Sequence, residues 1–225
     1  MAVVDSRIVG QSTSTKLFYF CVRVLVVSIC RTYLRLRVVG LENVPKTGAF
    51  IFAPTHRSTI DIPVASAATR RRLRFMGKDS IWKIKAVGKV MTALGAFPVT
   101  RGSADLEALK RCIAVLQSGE PLVMFPEGTR HYGPEVQSLF DGAAYVALKT
   151  GVPIVPAGIA GTEDVMRSGS KAIRFKKCRM VIGRPIAIAS PDGGRASREQ
   201  ISQVTEQLQR ELQSLLDEAN RMIAK

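Results

Sequence analysis

Hydrophobic residues along the chain gather in short runs of strand length. They lie at Arg37 to Gly40, Ala49 to Ala53, Leu73 to Met76, Ala96 to Thr100, Leu122 to Phe125, Ile154 to Ile159 and Arg179 to Ile182. Between several of these runs the spacing changes to that of a helix. Asp105 to Gln117 places Leu106, Leu109, Ile113 and Leu116 on one face and stops near Gly119, which suits the position just past a helix end. Ser138 to Lys149 predicts another helix, and Ser197 to Ile223 repeats Ile201, Val204, Leu208, Leu212 and Leu215 along one stripe. Strands alternating with helices predict an α/β fold, with a mixed, largely parallel central sheet flanked by helices. No internal repeat is visible, and Pro191 to Arg195 has the composition of a linker before a covering C-terminal helix.

The most apolar window is Leu17 to Cys30, 14 residues broken by Arg23 and Ser28. As a helix it is about 21 Å long, against roughly 30 Å of bilayer hydrocarbon. Lys16, Arg23 and Arg31 fall within an arc of about 80° around such a helix, with most apolar residues elsewhere. The window therefore predicts an N-terminal helix lying in a membrane interface, a core-packing first helix being the other reading. A signal peptide fits less well, because the apolar run starts late and no A-x-A cleavage site follows. The expected organisation is a membrane-associated helical segment over 1–36, an α/β domain over 37–190, and the linker and covering helix of that domain over 191–225.

Charge sharpens this picture. Lys plus Arg number 33 against 18 Asp plus Glu, a net charge of +15, so partners should be anionic: a membrane surface, a phosphorylated substrate or a nucleic acid. Arg70 to Lys89 holds eight basic residues and only Asp79 against them, interleaved with Phe75, Met76, Ile81, Trp82 and Ile84. That mixture suits a membrane surface at least as well as a nucleic acid. Cys21, Cys30, Cys112 and Cys178 show no C-x-x-C spacing and have two histidines to join them, so no metal site is expected and the thiols read as those of a reduced, cytoplasmic protein.

The candidate chemistry starts at HRSTID, residues 56–61. An imidazole acts as a base near neutral pH when a carboxylate fixes its tautomer through one ring nitrogen and leaves the other free. In a continuous helix His56 and Asp61 would lie about 140° apart and could not meet. They meet if Ser58 starts the helix and His56 folds back from the preceding loop. Ser58-x-x-Asp61 is also a plain helix-capping pattern, which uses the same residues without any chemistry. Three further segments follow strand-like runs, where α/β folds place ligands. These are GAFPVTRG (95–102) with Arg101, FPEGTRH (125–131) with Glu127, Gly128 and Arg130, and VPIVPAGI (152–159). Arginines at the ends of neighbouring strands offer the planar donor forks that hold phosphate.

HRSTID, GAFPVTRG, FPEGTR and VPIVPAGI in this order resemble the four sequence blocks of the glycerolipid acyltransferase family typified by the bacterial 1-acyl-glycerol-3-phosphate (lysophosphatidic acid) acyltransferases. The resemblance implies acyl transfer from acyl-CoA or acyl-carrier protein to the free hydroxyl of 1-acyl-glycerol-3-phosphate, giving phosphatidic acid at the cytoplasmic face of the cell membrane by a peripheral or monotopic protein. It implies His56 as general base, Asp61 as the carboxylate that orients it, and Lys78, Arg101, Glu127, Gly128, Thr129 and Arg130 as acceptor-binding residues. No cofactor, metal or acyl-enzyme is implied, and backbone N–H groups near Gly128 are candidates for an oxyanion site. Thr55, His131 and Asp141 depart from the family pattern, at places that bear on the acceptor; another lysophospholipid or a glycolipid is the alternative. A serine hydrolase is disfavoured by the lack of a G-x-S-x-G elbow, and a nucleic-acid-binding protein by 6% aromatic content. A non-catalytic basic lipid-binding protein remains as a reading of another class.

Overall fold

All seven apolar runs become strands of one sheet. In the computed structural model, which describes residues 12–99, 106–167, 172–190 and 196–224, they are β1 (Arg37–Val39), β2 (Ile51–Pro54), β3 (Arg74–Lys78), β4 (Ala96–Val99), β5 (Leu122–Val123), β6 (Ile154–Ala160) and β7 (Arg179–Ile182). Their order across the sheet is β1-β7-β6-β2-β5-β3-β4. Neighbours from β6 to β4 pair in parallel, β6 and β7 pair antiparallel, and β1 is parallel to β7. The sheet is thus mixed and largely parallel, as the alternation predicts. β2 and β6 are buried along their whole length, which is why they read as unbroken apolar runs.

Helices cover both faces. α4 (Leu106–Gln117), α5 (Gly142–Thr150) and α7 (Arg198–Ala224) supply Cys112, Val115, Val146, Leu208 and Leu212 to one core cluster, into which Ile51 and Ala53 of β2 point. α1 (Thr13–Thr32) and α2 (Asp61–Ala65) supply Val27, Cys30, Val64 and Ala65 to the other, which holds Phe50 and Phe52. α7 lies so close to β6 that a Cβ on Gly158 would collide with the Leu215 backbone. Only glycine permits that approach.

α1 is 20 residues, about 30 Å, so the apolar window understates it. Ser12 accepts the Thr15 N–H at 3.3 Å and extends the helix beyond the apolar run. By length and composition it could cross a membrane. Tyr19, Val27 and Cys30 are buried, whereas Leu17, Phe20, Leu25 and Ile29 are exposed. α4 closes at Gly119 as expected, the N–H groups of Gly119 and Glu120 donating to Leu116 and Val115 carbonyls.

The helix expected over Ser138 to Lys149 begins only at Gly142. Phe140 donates its N–H to the Pro126 carbonyl at 2.9 Å and Val136 donates to the Gln213 side chain at 2.8 Å, so this stretch is a strap instead of a helical turn. α3 (Lys85–Ala93), within the basic run, and α6 (Thr162–Val165) complete the fold. The linker Pro191 to Arg195 lies outside the described residues.

Candidate active site

Parallel pairing sends the carboxyl ends of β2, β3, β4, β5 and β6 to one edge of the sheet, and the segments singled out by sequence emerge there. Pro54 ends β2, and Thr55 donates its N–H to the Ala157 carbonyl at 3.0 Å and adds its side chain to the pairing. Its hydroxyl accepts the Ile159 N–H at 2.9 Å and donates to the Ile159 carbonyl at 3.3 Å. Thr55 is wholly buried, so this departure from the family pattern serves the β2–β6 junction and not a ligand.

His56 follows, with its ring stacked on Phe125 at 4.1 Å between centroids and 26° between planes. His56 Nδ1 lies 2.9 Å from Asp61 Oδ2. The same oxygen accepts the N–H groups of Arg57 at 2.6 Å and Ser58 at 2.7 Å, and Oδ1 accepts the Thr162 hydroxyl at 2.5 Å. Oδ2 is an acceptor on every side, so Nδ1 carries the ring proton and Nε2 is left with its lone pair. Asp61 is fully buried and the His56 side chain is 11% exposed, so the imidazole meets the outside only at an edge.

The expected helix start at Ser58 is corrected. α2 begins at Asp61, after Ile60, and no side chain caps it. Asp61 still reaches back to the Ser58 N–H, but the Ser58 hydroxyl donates to the Met166 carbonyl at 3.0 Å. Drawing in His56 and two backbone N–H groups is what lets an i, i+5 pair meet.

Glu127 sits in the turn after β5 and is 1% exposed. It accepts the His56 N–H at 2.9 Å and the Gln137 N–H at 3.2 Å, and Arg57 Nη2 lies 3.6 Å from it. Its carboxylate is therefore occupied in fixing the His56 backbone. Arg57, also 1% exposed, donates to the Glu135 carbonyl at 3.0 Å. Glu163 of α6 lies near it: burial pushes that carboxyl up, opposed first by the Gly133 N–H and then by the Arg57 charge.

Gly128 has φ +68°, and a Cβ there would meet the Phe140 ring at 2.6 Å, so glycine is required on both counts. Two of the expected oxyanion donors are spent. Gly128 N–H donates to the Phe125 carbonyl at 3.0 Å and Thr129 N–H to the Glu127 carbonyl at 2.8 Å. Thr129 Oγ1 is 3.1 Å from His131 Nε2, and the His131 N–H donates to the His56 carbonyl at 2.9 Å. Asp141 is bound by the Thr205 hydroxyl of α7 at 2.9 Å. Arg130 is exposed and donates to Thr59 Oγ1 at 2.7 Å, which lays its guanidinium along the HRSTID loop. Lys78 ends β3, exposed, in register with Val99 of β4. It is two strands from β2, about 10 Å across the sheet. Arg101 lies outside the described residues.

Sequence reasoning missed Thr162, Arg57 and Phe125. Thr162 is 101 residues from Asp61, and nothing local announces the bond. Ile62 and Pro63 of α2, with Ser66 just after it, line an apolar cavity of about 250 Å³, whose other walls include Val22 and Val26 of α1, Phe75 of β3 and Trp82. Trp82 donates its ring N–H to Thr92 Oγ1 at 2.9 Å, which leaves the indole face to the cavity.

Known proteins resemble this chain in sequence and fold. The family described as Acyltransferase matches residues 35–160. The chloroplastic 1-acyl-sn-glycerol-3-phosphate acyltransferase of Arabidopsis thaliana is 32% identical over 158 residues, 68% of this chain and 44% of that one. The 1-acyl-sn-glycerol-3-phosphate acyltransferase of Bacillus subtilis is 29% identical over 187 residues, 81% of this chain and 90% of that one. The crystal structure of the 1-acyl-sn-glycerophosphate acyltransferase PlsC from Thermotoga maritima superposes with a TM-score of 0.72 at 26% identity, over 91% of this chain and 83% of that one. The chain spans less than half the length of the plant relatives it matches. With the family match running from the end of the first helix to the end of β6, and so taking in the His56–Asp61 pair and the turn after β5, the chain belongs to the acyltransferase family.

Proposed function

We propose that this protein transfers a fatty acyl group from acyl-CoA or acyl-carrier protein to the free hydroxyl of 1-acyl-glycerol-3-phosphate, giving phosphatidic acid. The observation that carries this reading is the His56 ring, held by Asp61 through Nδ1 with Nε2 left as base. Nε2 removes the acceptor hydroxyl proton as that oxygen attacks the thioester carbonyl. The tetrahedral adduct collapses, the C–S bond breaks, and the imidazolium returns its proton to the leaving thiolate. No acyl-enzyme forms. Base catalysis of this kind contributes about 10²- to 10⁴-fold, and the remainder comes from holding both substrates in place.

Lys78, Arg101 and Arg130 supply positive charge for the acceptor phosphate, and the Gly128–Thr129 turn shapes the floor on which it rests. Glu127 serves the acceptor indirectly, through the His56 backbone. The cavity against α2 is apolar and is lined by Ile62, the residue after Asp61, which suits an acyl chain. α1, with Leu17, Phe20, Leu25 and Ile29 exposed and its opposite side on the protein, docks the molecule on the cytoplasmic face of the membrane, where both lipids reside.

The test is incubation of the purified protein with acyl-CoA and a panel of lysolipids, with products identified by mass. Phosphatidic acid formation by wild type and its loss in a folded His56→Ala variant is the expected result. Products from a different lysolipid alone would reassign the acceptor, and substantial turnover by His56→Ala would remove the base mechanism.

A further inference from the structure

A second, larger recess is lined by neither His56 nor Asp61. It has a volume of about 770 Å³ and runs between α1, the segment before β2 and the turn at residues 67–71. Five cations line it, Arg23 and Arg31 from α1, Lys46, Arg70 and Arg71, and no Asp or Glu does. Two of them are built in: Arg23 Nε donates to the Ser66 carbonyl at 3.1 Å, and Arg71 donates to the Pro45 carbonyl at 3.3 Å and the Gly119 carbonyl at 3.2 Å. Burial pushes the Arg23 guanidinium down, and after the opposing influence of Tyr19 the charges of Arg31 and Arg70 push it the same way. Within the recess these cations face one another with no acidic side chain between them, and Arg71 feels an opposing charge, that of Glu120.

The wall between the cations is apolar. Phe20 and Val24 of α1 line the recess and are also among the exposed apolar residues of that helix. An occupant must therefore bring an anion to the arginines and hydrocarbon to a helix face that is open on its outer side. That combination is a membrane lipid with an anionic headgroup.

We propose that this recess binds the phosphate headgroup of an anionic phospholipid of the bilayer, separately from the acceptor at His56, and so fixes the orientation of the protein on the membrane. The inference rests on α1 being a membrane-docking helix. Of the three cations on the polar arc of α1, Lys16, Arg23 and Arg31, it gives the latter two a specific ligand. Four arginines and a lysine supply the donors that a phosphodiester's unshared oxygens accept.

The test is native mass spectrometry of the full chain in neutral detergent, with dioleoyl phosphatidylglycerol, dioleoyl phosphatidylcholine and inorganic phosphate as probes. In single-lipid adducts the surface potential of a charged membrane plays no part. Wild type should retain one phosphatidylglycerol at concentrations where phosphatidylcholine is lost. Arg31→Gln/Arg70→Gln should weaken retention by about tenfold or more, each cation contributing a charge-assisted hydrogen bond. Lys85→Gln/Lys89→Gln, which removes the same charge from α3, should leave it unchanged. Equal retention of phosphatidylcholine, equal losses from both variants, or full displacement of lipid by inorganic phosphate would each overturn the proposal. A phosphatidylglycerol adduct without lysolipid turnover would leave the recess standing and remove the acyl-transfer reading; turnover without the adduct would do the reverse.

Discussion

Ser58-x-x-Asp61 and Ser197-x-x-Gln200 carry the same local pattern and end in different chemistry. Just before α7 the pattern is reciprocal: Gln200 donates its N–H to Ser197 Oγ at 3.1 Å and Ser197 donates its N–H to Gln200 Oε1 at 2.8 Å. Both residues are accounted for by the helix end. Before α2 only one half is made, from the Ser58 N–H to Asp61. The carboxylate takes three more donors, from His56, Arg57 and Thr162, and is fully buried. A cap needs one acceptor at a solvent-facing end. A buried carboxylate with four donors, one of them an imidazole, is an orienting device.

Three substitutions would break or sharpen this contrast. Asp61→Asn should have the largest effect, lowering kcat by about 10²- to 10⁴-fold, because the amide no longer compels Nδ1 to hold the proton. It should also cost about 1–3 kcal/mol in urea unfolding, since the buried Arg57 and Ser58 N–H groups lose a charged acceptor. Thr162→Val comes next. It removes the hydroxyl bond to Oδ1 while keeping the volume, so kcat should fall by about tenfold with KM little changed. An unchanged kcat would reduce Thr162 to a packing residue. Ser197→Ala should be the mildest: about 1 kcal/mol of stability in the same unfolding experiment, with no change in kcat. A comparable loss of turnover from Ser197→Ala would erase the distinction between the two motifs.

The fold was largely legible, for a physical reason. Strands buried on both faces must be continuously apolar, so β2 and β6 stand out from sequence alone. α2 and α6, at five and four residues, are too short to show a helical period. Residues 138–141 read as the start of a helix but are not, because Phe140 and Val136 are tied to Pro126 and Gln213 by bonds that no local pattern encodes. The site was legible to the same depth. His56 and Asp61 meet as their reading as a pair requires, whereas the Gly128 and Thr129 N–H groups, expected as oxyanion donors, are consumed by the turn that makes Gly128 necessary. Glu127 shows the limit best. Its place in FPEGTR resembles a binding position, and only the fold, which brings it 71 residues back to the His56 N–H, shows its carboxylate engaged with the backbone.

The central claim is that Asp61 holds His56 with its proton on Nδ1, so that Nε2 is the base. With only two histidines in the chain, long-range ¹H–¹⁵N NMR of uniformly labelled protein reads the His56 tautomer directly. The structure predicts a protonated Nδ1 and an unprotonated Nε2 in the neutral ring, with that preference lost in Asp61→Asn. A neutral His56 carrying its proton on Nε2 would contradict the account, because the ring would then have no lone pair facing the acceptor.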